Sequence, residues 1–370
     1  MTFRTPLCDL LGIEYPIVQS GMGSVAGADL AAEVSKAGGL GILGGLMKTA
    51  DQLRDEIRAI RALTDRAFGV NLWLHDELRP PVPASRVSDE TIGAVQATLN
   101  TFRERLGLPV PAARPGPPPD LVADAFQVIL DERVPVFSTV FGPPDRDMIH
   151  ACHGRDIRVI AMVATPEDAR AVVANGADAV VAQGSEAGGH RATFRKPRTP
   201  EIGAIGTMAL VPQVVDAVRV PVIAAGGIAD GRGLVAALAL GAAGVLMGTR
   251  FVATRESTAA EVWKKALLER DADVTTVTDV FTGLWARALR NRMTEAYAES
   301  GAPVLPTLWQ AGAARDITAA AIREGNGDYM PMWSGQGVGL IHNLPGAGEV
   351  VESIVREARV TLEALRDRLR

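Results

Sequence analysis

The 370-residue sequence predicts an α/β protein: a (β/α)₈ TIM barrel with a smaller, mainly helical second domain and a proline-rich insertion. Three observations carry this expectation. Short apolar runs alternate with stretches rich in Ala, Leu, Glu and Arg, which is the grammar of βα units around a parallel sheet. Those runs number eight, which closes a barrel. A weak internal repeat, "KAGGLGILGG" (36–45), "NGADAVVAQG" (175–184) and "LGAAGVLMGT" (240–249), ends a helix on glycine, turns, enters a buried strand and returns to glycine. Doubly wound sheets share that plan, but no GxGxxG follows the first strand.

In chain order the expected strands are "PIVQS" (16–20), "LGILG" (40–44), "FGVNLW" (68–73), "PVFST" (135–139), "IRVIAMV" (157–163), "ADAVVAQ" (177–183), "PVIAA" (221–225) and "GVLMG" (244–248). Most are too short and too β-branched for buried helices.

Two segments break the rhythm. Residues 76–120 hold nine of the 23 prolines around one amphipathic run, "DETIGAVQATLNTFRERL". We read an insertion with a helix between proline-rich arms. Residues 271–335 carry Trp285, Tyr297, Trp309, Tyr329 and Trp333, more in keeping with the packing of a satellite domain than with a ligand site. The expected division is a barrel over 1–270, a small substrate or lid domain over 271–340, and a C-terminal segment, 341–370, returning to the barrel.

Composition narrows the function. A net charge of -5 argues against non-specific nucleic-acid binding. Nowhere do 18 uncharged apolar residues run together, so no transmembrane helix is expected, and the opening "MTFRTPLCDLLGIEYP" does not read as a signal peptide. Cys8 and Cys152 stand far apart in no metal or redox spacing, which suits a reducing cytoplasm. The expectation is a cytoplasmic protein, monomer or homodimer, acting on a small molecule without a metal.

Ligands of such barrels sit at the carboxyl ends of the strands. The seventh strand leads into "AAGGIADGRG" with Gly226 and Gly227, and the eighth into "LMGTRF" with Met247, Gly248 and Thr249. Adjacent glycine loops before helix N-termini make a phosphate cradle, unless they are only tight turns. In "QSGMG", Met22 and Gly23 follow the first strand, where a flexible thioether can lie against a planar ring. Asn71 and Gln183 supply carboxamides suited to a heterocycle edge. Each has a duller reading as core or turn residue, but together they fit a flavin mononucleotide. The densest stretch is "AQGSEAGGHRATF" (182–194), where Gly188 and Gly189 present His190 over the same mouth. Histidine titrates near neutrality and can take or give a proton. Glu186 would orient it or cap the turn, and Arg191 would attract an anionic substrate. The alternative is a hydrogen-bonded structural histidine.

Taken with "PIVQSGMG", "AEVSKAGGLGILGG" and "MWSGQGVGLI", these motifs resemble the nitronate monooxygenase (2-nitropropane dioxygenase-like) family from about residue 5 to 345, with the proline-rich insertion outside the resemblance. The resemblance implies a TIM barrel with a second domain and non-covalent FMN. It also implies oxidation of alkyl nitronates by O₂ to a carbonyl compound and nitrite, with His190 catalytic. By position it assigns FMN contacts to Met22, Asn71, Gln183, Gly188, Gly227, Gly248 and Thr249, and an approach by Ser334, Gly335 and Gln336 from the second domain. Here "QSGM" replaces the usual "QAPM" and Ala192 the usual glycine, which leaves the substrate open. A similar "QGGM" occurs in flavin-dependent enoyl-acyl-carrier-protein reductases, the alternative enzyme. Nucleotide dehydrogenase barrels need a nucleophilic loop cysteine, which neither Cys8 nor Cys152 supplies. A different class, a barrel that binds a phosphate ligand without catalysis, is argued against by the histidine.

Overall fold

Short strands that are apolar on both faces are stable only when both faces are covered, and a closed barrel with an outer helical ring achieves this. The computed structural model describes residues 3–369; positions 1, 2 and 370, at the ends of the first and last expected segments, lie outside the described residues. The strands are β1 Ile17–Gln19, β2 Gly41–Gly44, β3 Phe68–Trp73, β4 Val136–Val140, β5 Arg158–Val163, β6 Ala179–Gln183, β7 Gly189–His190, β8 Val222–Ala225, β9 Gly244–Met247, β10 Thr275–Thr278 and β11 Ala286–Leu289.

Eight of them form one parallel sheet in the order β1-β9-β8-β6-β5-β4-β3-β2. A parallel bridge between Val18 and Leu40 joins its two edges, supported by Gln19 N donating to Leu40 O at 2.9 Å. The sheet is therefore a closed TIM barrel, and each expected run contains one of its strands. Gln19 is fully buried inside it, which is tolerable because its Oε1 accepts from Ile42 N at 3.0 Å and its Nε2 donates to Ile42 O at 3.1 Å.

Local chemistry sets the helix limits. Thr165 caps Pro166–Asn175 by accepting from Asp168 N at 3.1 Å. That helix ends at Gly176, whose φ of 114° a side chain would disfavour. The long helix Ala347–Arg368 lays Val350, Val351, Ile354 and Val355 into the apolar cluster that covers the barrel. Each such burial is worth about 1.5–3 kcal/mol. Glu357 then accepts from Gly231 N at 3.0 Å, fixing this helix against Gly231–Ala239.

The proline-rich segment is an integral part of a second cluster. Its helix, Asp89–Arg105, begins at a Ser88 cap. It packs Ile92, Val95, Leu99 and Phe102 with Met293, Tyr297, Trp309 and Tyr329. Arg103, 1% exposed, forms a bidentate pair with Asp316 at 2.8 and 3.0 Å. Trp309 Nε1 donates to Val82 O, and Thr307 N to the Glu77 carboxylate. Chain from both sides of β4–β9 thus builds one body beside the strand ends. No described helix is long and apolar enough to cross a membrane.

Candidate active site

A cavity of about 380 Å³ lies at the carboxyl ends of the barrel strands, within the size range of small-ligand sites. Met22, Gly23, Asn71, Gln183, Gly188, Gly189, His190, Gly226, Gly227, Met247, Gly248 and Thr249 all line it. Ser334 and Gln336 do not. Ser334 is fully buried, and the intervening Gly335 and the following Gly337 form the wall instead. The expected approach of this segment is shifted because Gly335 lies against Gly188: a Cβ on Gly188 would meet Gly335 N and lie 2.6 Å from Ser334 C. Only glycine permits that contact.

The cradle has the features of an anion site. The backbone amides of Gly226, Gly227, Gly248 and Thr249 donate to no partner among the described residues. Gly226 and Gly227 have φ of 111° and 71°, accessible to glycine at little cost. A Cβ on Gly226 would also sit 2.7 Å from Thr207 Oγ1. Thr249 Oγ1 accepts from Gly335 N at 3.0 Å, tying the cradle to the opposite wall. A Cβ on Gly248 would lie 3.6 Å from Met22 Sδ, so the thioether flanks the cradle. Asn71 Nδ2 donates to Ser138 Oγ at 3.0 Å, which leaves Oδ1 to accept from a ligand.

His190 is held from three directions. Its residue pairs with Ala286 of β11, so the small β10-β11-β7 sheet fixes the backbone. Gln183 Nε2 donates to His190 O and Gln183 Oε1 accepts from Ala192 N, both at 2.8 Å. The amide expected at a heterocycle edge is thus spent first on clasping the histidine loop. The His190 Nε2 atom lies 2.8 Å from Thr282 Oγ1. Trp73, Phe141 and Trp333 surround the imidazole, with centroids 4.6, 5.9 and 4.9 Å away. Removal from water pushes its pKa down to about 3, so the ring is neutral at physiological pH. Among the described residues it is the one titratable side chain lining the cavity.

Several sequence expectations are corrected here. Glu186 caps a helix and does not orient His190: both carboxylate oxygens accept from Thr207 N at 2.9 Å. Arg191 is buried away from the cavity and donates to Gly184 O at 3.0 Å, so it shapes the loop and attracts no substrate. Trp333, assigned to satellite packing, lines the cavity, as do Trp73, Phe141 and Thr282, which sequence reasoning missed. The aromatic character of the three rings was visible; the convergence of all four residues from separate chain segments was not. Cys8 and Cys152 are buried, and burial raises the Cys152 thiol to about 12, so neither is a poised nucleophile.

The residues fit a flavin mononucleotide on these observations. Unspent amides at the cradle suit a phosphate, and apolar walls around Met22 suit a planar ring.

Comparisons agree with this geometry. A family model described as nitronate monooxygenase matches residues 4–357, and that span runs through the proline-rich insertion placed outside the resemblance. A probable nitronate monooxygenase of Staphylococcus haemolyticus is 36% identical over 367 residues, 99% of this chain and 100% of that protein. A nitroalkane oxidase from Streptomyces ansochromogenes superposes with a TM-score of 0.87 at 36% identity, covering 97% of this chain and 99% of that one. FabK from Thermotoga maritima superposes with a TM-score of 0.74 at 34% identity, covering 98% and 99%.

Proposed function

Because the chain belongs to the nitronate monooxygenase family, we propose that it oxidises alkyl nitronates with O₂ to a carbonyl compound and nitrite, with FMN bound in the cavity and His190 acting on the substrate. The observation that carries the assignment is His190, neutral and, among the described residues, the one titratable group on the cavity wall.

The amides of Gly226, Gly227, Gly248 and Thr249 would hold the cofactor's phosphate, and Met22, Asn71 and Gly188 would flank its ring system. Bound FMN supplies the two-electron redox chemistry that no side chain here can provide. The protein's own contribution is positional and electrostatic. Trp73, Phe141 and Trp333 crowd the imidazole on the cavity wall, so a bound ligand would be its neighbour on the open side. With Nε2 engaged by Thr282, Nδ1 is the nitrogen left to receive an α-proton or to donate to a nitro oxygen. Receiving the proton requires an uncharged ring with a lone pair on Nδ1, whereas donating to a nitro oxygen requires a hydrogen on Nδ1.

The similarity to FabK keeps a flavin-dependent enoyl-acyl-carrier-protein reductase as the second reading. Among the described residues no Lys or Arg lines the cavity, though, and NADPH would bring three further phosphate groups needing partners. The wall therefore favours a small, largely apolar substrate.

The test is anaerobic. An alkyl nitronate should remove the visible absorbance of bound FMN, whereas NADPH at equal concentration should not. Rapid loss with NADPH, and its return with an enoyl thioester, would transfer the assignment to the reductase.

A further inference from the structure

The indole Nε1 of Trp263 is buried with no hydrogen-bond partner among the described residues. The residue is 4% exposed, yet it lines the cavity. Buried indole N–H groups ordinarily find an acceptor, and an unpaired one calls for a physical reason. Trp263 sits on the helix Glu261–Glu269. It shares an apolar cluster with Val25, Ala229 and Val252, which line the same cavity. Each of those three residues follows a cofactor loop: Val25 comes after Gly23, Ala229 after Gly227 and Val252 after Thr249. None of their side chains can accept a hydrogen bond. The helix is pinned over this place because Thr258, just before it, donates through Oγ1 to Ser24 O at 2.9 Å.

Among the described residues the cradle has no cationic side chain. Its donors are neutral backbone amides, so each further N–H aimed at a phosphate matters. We propose that Trp263 Nε1–H is a donor for the phosphate of bound FMN and makes the site select the phosphorylated flavin over riboflavin. This rests on the FMN reading above.

The experiment measures dissociation constants of FMN and of riboflavin for the full-length wild type and for Trp263→Phe. Riboflavin offers the same ring system without the phosphate. Losing a hydrogen bond to a charged group should weaken FMN binding about ten- to hundredfold. Riboflavin binding should stay within about twofold, so the preference for FMN shrinks. An unchanged preference overturns the proposal, as does equal weakening of both flavins, which would mark Trp263 as packing only. A wild type that binds neither flavin defeats the FMN reading itself and is recognisable as such. If Trp263→Phe does not fold, the ¹⁵N-labelled wild type, with five tryptophans, gives the answer. One indole N–H resonance should move downfield with FMN and hold still with riboflavin; no such resonance overturns the proposal.

Discussion

Thr282 Oγ1 lies 2.8 Å from His190 Nε2 across 92 residues of chain. Leu284 N donates to the same hydroxyl at 3.4 Å, and Leu284 O lies 3.5 Å away as an acceptor for its proton. Where the hydroxyl gives its proton to Nε2, Nδ1 carries the ring hydrogen; where it gives its proton to Leu284 O, it accepts from Nε2–H and Nδ1 keeps a free lone pair. The second is the form a general base needs. Thr282 is therefore a positioning residue set on the loop before β11.

Replacing that hydroxyl tests the tautomer argument. Thr282→Val keeps the shape and removes the hydrogen bond, a loss of about 1 kcal/mol. Turnover of a neutral nitroalkane should fall about fivefold, with bound FMN unchanged and a smaller effect on a preformed nitronate. Equal losses on both substrates would show that Thr282 does not set the tautomer.

Desolvation of the His190 ring by its aromatic neighbours has a consequence for stability against pH. Its folded pKa is about 3, below the ordinary 6.5, so the unfolded chain binds the extra proton between those values. The advantage of the neutral ring is fully present above about pH 6.5 and is lost as pH falls toward 3. One proton corresponds to about 1.4 kcal/mol per pH unit. Urea midpoints at pH 7, 5.5 and 4.5 should fall more steeply for wild type than for His190→Asn. Parallel curves would show that the imidazole is already solvated in the folded protein.

The contact between Gly188 and Gly335 predicts a cofactor defect from one methyl group. Gly188→Ala would place Cβ 2.6 Å from Ser334 C, too close for backbone to accept. The segment carrying Gly335 and Gly337 must shift, and it pulls on Thr249 through the 3.0 Å bond from Gly335 N. The expected result is FMN lost on gel filtration while the thermal midpoint of the cofactor-free protein changes little. Full flavin content after purification would show that the wall yields without disturbing the cradle.

The barrel is legible in the sequence because buried parallel strands must be apolar on both faces. Runs such as Phe68–Trp73 and Ala179–Gln183 announce themselves between glycines. The cradle is legible for a related reason: Gly226 and Gly227 need backbone angles that other residues avoid. Trp73, Phe141, Thr282 and Trp333 are not legible, since their convergence depends on loop geometry that no local pattern encodes. A strand-end reading misses Trp263 altogether, because it lies on a helix after the barrel repeat. "WSGQG" misleads by one position for the same reason. Polarity singled out Ser334 and Gln336, whereas close approach requires the glycines between and beyond them. The amphipathic run at 89–105 shows its apolar face plainly, yet not that this face meets Tyr297 and Trp309.

His190 itself separates proton transfer from the rest of catalysis. A neutral nitroalkane must lose its α-proton before its electrons are available, whereas a nitronate has already lost it. His190→Asn keeps a polar group of similar size but no base. Neutral-substrate turnover should fall about 10²–10⁴-fold, the usual contribution of a general base. Nitronate oxidation should fall far less, because only positioning and one hydrogen bond to the nitro group are lost. If the wild type accepts nitronates alone, the histidine acts through that hydrogen bond, and the loss then appears in nitronate turnover at about tenfold or more. Both substrates are therefore measured on both proteins, with bound FMN determined in each. A variant that retains FMN and matches wild-type rates on both substrates would make His190 structural, held by Thr282 and Gln183 for the sake of the loop alone.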